Sequence, residues 1–564
     1  MATDRDNGAL PDALVRLRDS LTSLTLGLEL PGSTRARSVR TELAAQIDDY
    51  LLPRLRQMDA PLLMVVGGST GAGKSTLVNS LVRETVSRAG VLRPTTRAPV
   101  LVCNPVDFRW FEDDRILPGL RRATGEAASA GELQLVPTER MAPGLALLDA
   151  PDIDSVVTEN RALATQLLAA ADAWLFVTTA ARYADAVPWD LLTAARERGT
   201  ALSVVLNRVP PDAVEEVSGH LRQMLRERSL GDAELLVIRE TVLEDGLIPA
   251  AELTPVRQRL DSLSADAAER SELVRRTLSG ALDSLPSRVA IVEAAAADQR
   301  AAAADLRAGV EGAYERAIAE VDEAVRSGSL LRGEVLARWH DVVGTGELMR
   351  ALETRVSSLR DRLRAFATGK PAADAELKAA VETSVDAVVL AAADRAAERA
   401  ASEWRQLAAG RALLEAAPRL DAVSPELLER TKAEVRSWQG YVFELVRSEG
   451  ESKRTTARLA SLGVNGAGLT VMLAVFLSTG GLTGTEVVIA GGTSALSQKV
   501  LEAIFGDQAV RALAARARTD LLERVDRLLD AEAVRFLEPL EAAAPSANDL
   551  GRLPKALRAV EAAR

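Results

Sequence analysis

Several protein classes are closed to this sequence by what it lacks. It holds a single cysteine, Cys103, in 564 residues, so no intrachain disulfide can form and a reducing compartment is its natural home. Its two histidines, His220 and His340, stand far apart without neighbouring cysteine. That favours solvent-facing or satisfied core residues over a zinc site or a hydrolase triad. Aromatic residues make up only 3%, and 69 Lys and Arg against 80 Asp and Glu leave a net charge of −11. A chain without stacking platforms or a basic footprint does not suit nucleic acid, and no nucleic-acid partner is expected. The opening MATDRDNGALPD carries no hydrophobic signal core, which points to the cytoplasm. At roughly 150 residues per domain, the length suggests about three or four structural units.

Glycine, by contrast, is concentrated in one chemically telling place. Leu62 to Asn79 reads LLMVVGGSTGAGKSTLVN: a strand-type run from Leu62 to Val66, then Gly68-x-x-x-x-Gly73-Lys74-Ser75, then a helix-type stretch opening at Thr76. Strand, Gly-rich loop and helix in that order make a phosphate-binding loop. Gly68, Ser69, Thr70, Gly71, Ala72 and Gly73 can curl successive N–H groups round a β-phosphate, because glycine permits angles and close approaches that a Cβ forbids. The unpaired N–H groups and positive dipole end of the following helix, at Ser75 and Thr76, aim at the same phosphates. Lys74 adds a full charge able to reach the β- and γ-phosphoryl oxygens, and the Ser75 hydroxyl is placed to ligate the bridging Mg²⁺.

From Pro61 to about Pro255, short apolar runs alternate with amphipathic stretches. Strands are expected at Leu62 to Val66, Pro99 to Cys103, Gly144 to Leu148, Trp174 to Thr178, Ala201 to Leu206 and Glu234 to Ile238. The alternation implies an α/β domain with a doubly wound, mostly parallel sheet, whose ligand sits at the carboxyl ends of the strands. Ahead of the second strand, Thr96 in Arg93-Pro94-Thr95-Thr96-Arg97 is a candidate to complete the Mg²⁺ shell and hold the attacking water. Past the third, Asp149 in Asp149-Ala150-Pro151-Asp152 is a candidate to hold Mg²⁺ through water. Past the fifth, Asn207-Arg208-Val209-Pro210-Pro211-Asp212 is placed to meet a base.

These residues resemble the translation-factor-related GTPases, and within them the dynamin-like branch of bacterial, actinobacterial type. The resemblance covers about 60 to 250. It rests on the phosphate loop with Leu77-Val78-Asn79, on Thr96-Arg97-Ala98-Pro99 before an apolar strand, and on Leu147-Leu148-Asp149-Ala150-Pro151. It implies GTP and Mg²⁺ as ligands, Thr96 as the switch threonine, Asp149 as the aspartate on the metal side, and Lys74 and Thr96 as the catalytic pair. The sequence departs from the family at three points. Thr70-Gly71 stands where dynamins carry Gln-Ser, Asp152 replaces the glycine of Asp-x-Pro-Gly, and Pro210 replaces the aspartate of the guanine motif, leaving Asp212 as its substitute.

Outside this domain the chain reads as helix. Residues 1–57 give two helical patterns split by Pro31-Gly32-Ser33, the first with Leu14, Leu17, Leu21 and Leu24 on one stripe that needs a partner from the C-terminal helices. Residues 256–458 read as a helical stalk with turns around Ser284 to Pro286, Gly344 to Gly346, Gly369 to Pro371 and Ser424-Pro425. Leu306, Val310, Ala313, Ala317, Val321 and Ala324 form one stripe. Leu428, Val435, Trp438, Val442 and Leu445 form another, behind Ser424 as N-cap. Residues 506–564 read as returning helices. Between them, 459–505 is a hydrophobic hairpin: from Leu459 to Gln498 the only charged residue is Glu486, with Lys453, Arg454, Arg458 and Lys499 at its flanks. At about 1.5 Å per residue its first leg nearly crosses ~30 Å of hydrocarbon and its second does not, so a membrane-dipping hairpin fits. The other fit is a small-residue hairpin buried in the bundle.

The sequence therefore predicts a GTPase domain at 58–255, helices of a neck at 1–57, and a stalk that contacts lipid through 459–498. GTP and GDP are the expected ligands, self-association into a homo-oligomer on nucleotide or membrane is expected, and the inner face of the cell membrane is the expected place. The alternatives are a soluble regulatory GTPase acting on a protein partner and a nucleotide-binding scaffold with little hydrolysis. An ABC-type ATPase shares the phosphate loop, but no Leu-Ser-Gly-Gly-Gln signature accompanies it.

Overall fold

The computed structural model describes residues 8–87, 98–113, 116–117, 119–123, 131–154, 158–197, 199–327, 371–449 and 507–564. Thr96 and the whole hairpin 459–505 lie outside the described residues, as do His340 and the expected turn at Gly344 to Gly346. The chain divides into two compact units. One comprises Met1–Thr25, Gly32–Ala297 and Ser546–Arg564; the other comprises Leu26–Pro31 and Asp298–Pro545.

The first unit is built on an eight-stranded sheet. Its strands are β1 (Leu62–Gly68), β2 (Val100–Cys103), β3 (Arg121–Ala123), β4 (Glu132–Pro137), β5 (Leu145–Asp149), β6 (Ala173–Thr179), β7 (Ala201–Val209) and β8 (Glu234–Arg239), in the order β3-β4-β2-β5-β1-β6-β7-β8. β1 pairs in parallel with β5 and β6, and β6-β7-β8 continue in parallel, while β2 runs antiparallel to β5. Because side chains alternate across a strand, Leu62, Met64 and Val66 of β1 enter the core on one face and Leu63 and Val65 the core on the other. Each fully buried chain of this kind contributes about 1.5–3 kcal/mol, which explains why the two-sided apolar runs are the central strands. The six strands expected from the sequence are all present. β3 and β4 were not expected, because Arg121-Arg122 and Glu132 make them look like loop; they pair in parallel, β3 as the edge strand, and β4 buries only Leu133 and Leu135.

Helices α1 (Ala9–Ser23), α2 (Ser33–Gln46) and α3 (Leu52–Arg56) precede the sheet, and a π-turn, Ile47–Leu51, joins the last two. Leu14, Leu17 and Leu21 are fully buried, and α1 packs against the C-terminal helix Ala547–Ala563, whose Leu553, Ala556 and Val560 are buried in turn. Among the strands lie α4 (Lys74–Val82), α5 (Thr158–Ala169), α6 (Ala186–Glu197) and α7 (Val214–Glu227), followed by α8 (Thr254–Ala265) and the 60-residue α9 (Ala267–Arg326). The turn expected at Ser284 to Pro286 is not there. The helix runs through Pro286, and the Ser284 and Ser287 hydroxyls donate to the carbonyls of Ala281 and Ser284, satisfying backbone groups on that turn.

The second unit is helical, with α10 (Pro371–Gln406), α11 (Ala408–Ala416), α12 (Leu427–Glu449) and α13 (Asp507–Ala543) added to the end of α9. Leu306, Val310, Ala313, Ala317 and Val321 are buried as their spacing predicts, but Val325 takes the inward place in preference to Ala324. In α12 the buried seam is Leu427, Thr431, Val435, Trp438 and Val442, and the expected Leu428 is 39% exposed. Ser424 is not the cap the sequence promised. Its hydroxyl and N–H both donate to the buried Glu532 carboxylate, and the helix begins at Leu427. Among the described residues, no helix is long and apolar enough to cross a membrane.

Candidate functional site

The carboxyl ends of β1, β5, β6 and β7 converge on the loop between β1 and α4. Two of its glycines are dictated by space. At Gly68 (φ +149°) a Cβ would stand 2.0 Å from the Val177 carbonyl oxygen of β6, and at Gly73 (φ +93°) one would stand 2.7 Å from Asn207 Nδ2. Ala72 N–H donates to the Ser69 carbonyl at 3.1 Å, closing the loop's turn, and Leu77 N–H donates to the Gly73 carbonyl at 2.8 Å as the helix starts. Ser69 is fully buried and its hydroxyl makes no hydrogen bond, an orphaned polar atom inside the loop. Thr76 stands in the first turn of α4, where its carbonyl accepts from Ser80 Oγ at 2.6 Å.

Lys74 is 5% exposed and its ammonium is fully engaged. Nζ donates to the Gly68 carbonyl at 2.9 Å, to the Ser69 carbonyl at 3.1 Å, and to the Asp152 carboxylate, itself only 18% exposed. Asp152 is brought there by the turn after β5, which hooks onto β1 through Ala150 N–H to the Val66 carbonyl (3.2 Å) and Ile153 N–H to that of Gly68 (3.5 Å).

Asp149, the last residue of β5, is wholly buried. Burial pushes its carboxyl above the ordinary range, against the Ser75 and Ser87 hydroxyls and the Lys74 ammonium, which favour the charged form. Ser87 Oγ donates to Oδ2 at 2.6 Å, and Oδ1 has no hydrogen-bond partner. A buried carboxylate with one free oxygen beside the Ser75 hydroxyl is a hard oxygen donor set, so these residues fit Mg²⁺.

A further network grips Thr70. Asp154 accepts from the Thr70 N–H and hydroxyl, both at 2.6 Å, and from Arg182 at 2.8 Å, while Arg182 also donates to the Thr70 carbonyl at 2.7 Å and to Asp185 at 2.8 Å. Burial works to raise Asp154, but the Thr70 and Arg182 hydrogen bonds outweigh it and hold the carboxyl below its ordinary range. On the other flank, Asn207 near the end of β7 donates to the Ala72 carbonyl at 2.8 Å and accepts from the Arg208 N–H at 2.9 Å. Arg208 has φ +54°, and one guanidinium nitrogen comes within 3.9 Å of the Cβ position at Gly73. Asp212 lies on the exposed turn before α7.

The structure thus brings together Gly68 to Thr76, Asp149, Asn207 and Arg208. Sequence reasoning did not single out Ser87, Asp154 or Arg182, and gave Asp152 no partner. The ends of parallel strands were the signal: Asp152 and Asp154 follow β5 at alternate positions, and Arg182 follows β6. His220 is exposed and hydrogen-bonds the Tyr183 hydroxyl at 2.9 Å. Cys103 is buried in β2, its thiol pushed up to about 12, first by burial and then by Asp107.

No protein-family model matches the chain, and no curated protein matches it. Among solved structures it is similar to an Era variant of Aquifex aeolicus bound to GDP and AlF4−, with 20% identity over 36% of this chain and 57% of that one, at a TM-score of 0.24. It is also similar to a bacterial dynamin pair described as sensing and tethering membranes at long range, with 9% identity over 100% of this chain and 96% of that one, TM-score 0.38. A third is Toc33 of Arabidopsis thaliana with Mg²⁺ and GMPPNP, with 16% identity over 40% of this chain and 91% of that one, TM-score 0.24. The chain spans little more than half of the Era structure it matches.

Proposed function

We propose that the chain binds GTP with Mg²⁺ at the β1–α4 loop and hydrolyses it, as a dynamin-like GTPase that couples turnover to self-association and to membrane contact through 459–498. The observation that carries the nucleotide reading is the meeting of the Lys74 ammonium, the Ser75 hydroxyl and the half-satisfied Asp149 carboxylate at the mouth of a loop in which Gly68 and Gly73 leave no room for a Cβ. In this reading the N–H groups of Gly68 to Thr76 and the dipole of α4 hold the phosphates, and Lys74 neutralises the terminal one. Ser75 and Asp149, with Thr96, would hold Mg²⁺, which would supply positive charge to screen the phosphates. Asn207 and Arg208 flank the base side of the loop, and Asp212 accepts from guanine. Lys74 and Thr96 are the residues proposed to act on the reacting phosphate. The membrane part rests on the sequence of the hairpin and on its positive flanks, and the self-association part on the lack of a Gln beside the loop or after Asp149 to orient water; in this reading the protein works in the cytoplasm against the inner face of the cell membrane.

The test is release of phosphate from GTP and from ATP by the purified chain, with and without liposomes, across a wide range of protein concentration. GTP turnover whose specific activity rises with concentration or lipid is the expected outcome; absence of nucleotide binding defeats the reading, and flat specific activity defeats its coupling to self-association. One observation favours a second reading, a nucleotide-binding scaffold with little hydrolysis: Asp152 sits on Lys74 where a terminal phosphate is needed.

A further inference from the structure

We infer that Asp152 is an internal stand-in for the terminal phosphate, making the site select nucleoside diphosphate over triphosphate until the carboxylate is expelled. The inference rests on the nucleotide reading above and deepens it. An ammonium has three N–H donors, and those of Lys74 have three acceptors: the Gly68 carbonyl, the Ser69 carbonyl and the Asp152 carboxylate. The two carbonyls belong to the loop itself. The third acceptor is the only charged one, and it comes from a different strand.

Asp152 is held in that place by more than Lys74. The turn that carries it is anchored to the end of β1 by Ala150 and Ile153, and two residues further on Asp154 is fixed to Thr70 and Arg182. The carboxylate is therefore a positioned group, four-fifths buried against the loop. A diphosphate fills the loop and leaves the terminal-phosphate place free, so Asp152 can keep its bond to Lys74. A triphosphate competes for the same ammonium proton with a like-charged group, and it binds only when Asp152 leaves. Expulsion turns the Asp152 side chain out to water, on a turn whose other end grips Thr70 through Asp154. Aspartate at this position has the same backbone N–H as glycine would, but adds a negative side chain that repels a terminal phosphate.

The experiment is titration of the full chain, with Mg²⁺ present, by a fluorescent GDP and by the matching non-hydrolysable GTP analogue, in wild type and in Asp152→Asn. The wild type is expected to bind the diphosphate more tightly. Asn keeps the shape and removes the charge, so the variant is expected to gain about tenfold or more for the triphosphate analogue, the scale of one hydrogen bond to a charged group, with little change for GDP. Wild-type preference for the triphosphate analogue overturns the inference, as does a variant that shifts both ligands equally or neither. If Asp152→Asn melts well below wild type, the same ratio is read on Asp152→Ala. Failure of wild type to bind either nucleotide is a different result: it removes the nucleotide reading, and the inference falls with it.

Discussion

Lys74→Ala separates the role of this residue in the ligand from its role in the fold. In the folded chain Lys74 makes two bonds to loop carbonyls and one ion pair. Removing it does not orphan Gly68, whose carbonyl also accepts from Ile153 N–H, and Asp152 is near enough to the surface, at 18% exposed, to turn to water. The lost interactions cost on the order of 1–2 kcal/mol. Against that, removing a cation from the first turn of α4 relieves the positive end of a helix dipole, a gain of roughly 0.3–1 kcal/mol. The net expected loss of stability is therefore about 1 kcal/mol, well inside what a domain of this size tolerates. Nucleotide affinity is a different matter. If the ammonium makes two charge-assisted bonds to the phosphoryl oxygens of a triphosphate, each is worth about 1.5–3 kcal/mol, and affinity for the GTP analogue should fall by roughly 10²- to 10⁴-fold, with a smaller loss for GDP, which leaves the Asp152 pair in place. Circular dichroism and thermal melting report the fold; titration with GDP and a GTP analogue reports the site. A variant that melts like wild type and binds with unchanged affinity refutes the phosphate-loop assignment, and one that fails to fold refutes the stability estimate.

Three other expectations follow from single features. GTP should bind more tightly than ATP, by less than a contiguous guanine motif gives, because Asp212 is separated from Asn207-Arg208 by two prolines and stands on an exposed turn; Asp212→Ala should abolish the difference, and competition binding reads it. Changing Leu473 and Phe476 to Asp should abolish co-sedimentation with liposomes while nucleotide binding survives, since each charge costs about 2.5–3.5 kcal/mol at bilayer depth; a mutant that unfolds instead supports the buried hairpin. Asp386 of α10 has its carboxyl pushed up to about 6 from the ordinary 3.8, by burial first and by Glu382 second, against Lys432 and Arg436. The folded state then holds the proton more tightly, so stability falls as pH rises from about 4 to 6 and stays lower above. Asp386→Asn should stabilise at pH 7.5 by on the order of 1 kcal/mol and do little at pH 4, measured by urea unfolding at both.

How much of this was legible depended on whether a feature is local in the chain. β1, β5, β6 and β7 were legible because strands buried on both faces are runs of Val, Leu and Ala that no other environment asks for. β4, half-open with the pattern ELQLVP, and the three-residue β3 carry too little apolar signal. The phosphate loop was legible because its spacing is contiguous. The partners of Thr70 were not: Asp154 is 84 residues away and Arg182 is 112, and no pattern in either stretch announces the pairing. In the helices the error was one residue of phase, Leu427 for Leu428 and Val325 for Ala324. Spacing alone leaves that ambiguity where adjacent residues are both apolar. At Ser424 a cap signal was outcompeted by a buried carboxylate, Glu532, that needed its donors.

The turn after β5 places three carboxylates within six residues, and the structure gives each a different electrostatic fate. Asp149, wholly buried with one oxygen unpaired, is costly to keep charged and is the one a divalent cation would relieve. Asp154 is already compensated by Arg182 and by the Thr70 N–H and hydroxyl, so it serves as an anchor. Asp152 lies between them, its charge balanced by the one ammonium the phosphates also require. Asp152 and Asp154 are about equally exposed, at 18% and 14%, so what sets Asp152 apart is its partner: its charge is paired with the one ammonium that a bound phosphate would also claim, whereas Asp154 is paired with Arg182 and Thr70. On the proposed reading, the order of the three along the chain puts a metal ligand at Asp149, a group that phosphate would displace at Asp152, and an anchor for the loop at Asp154.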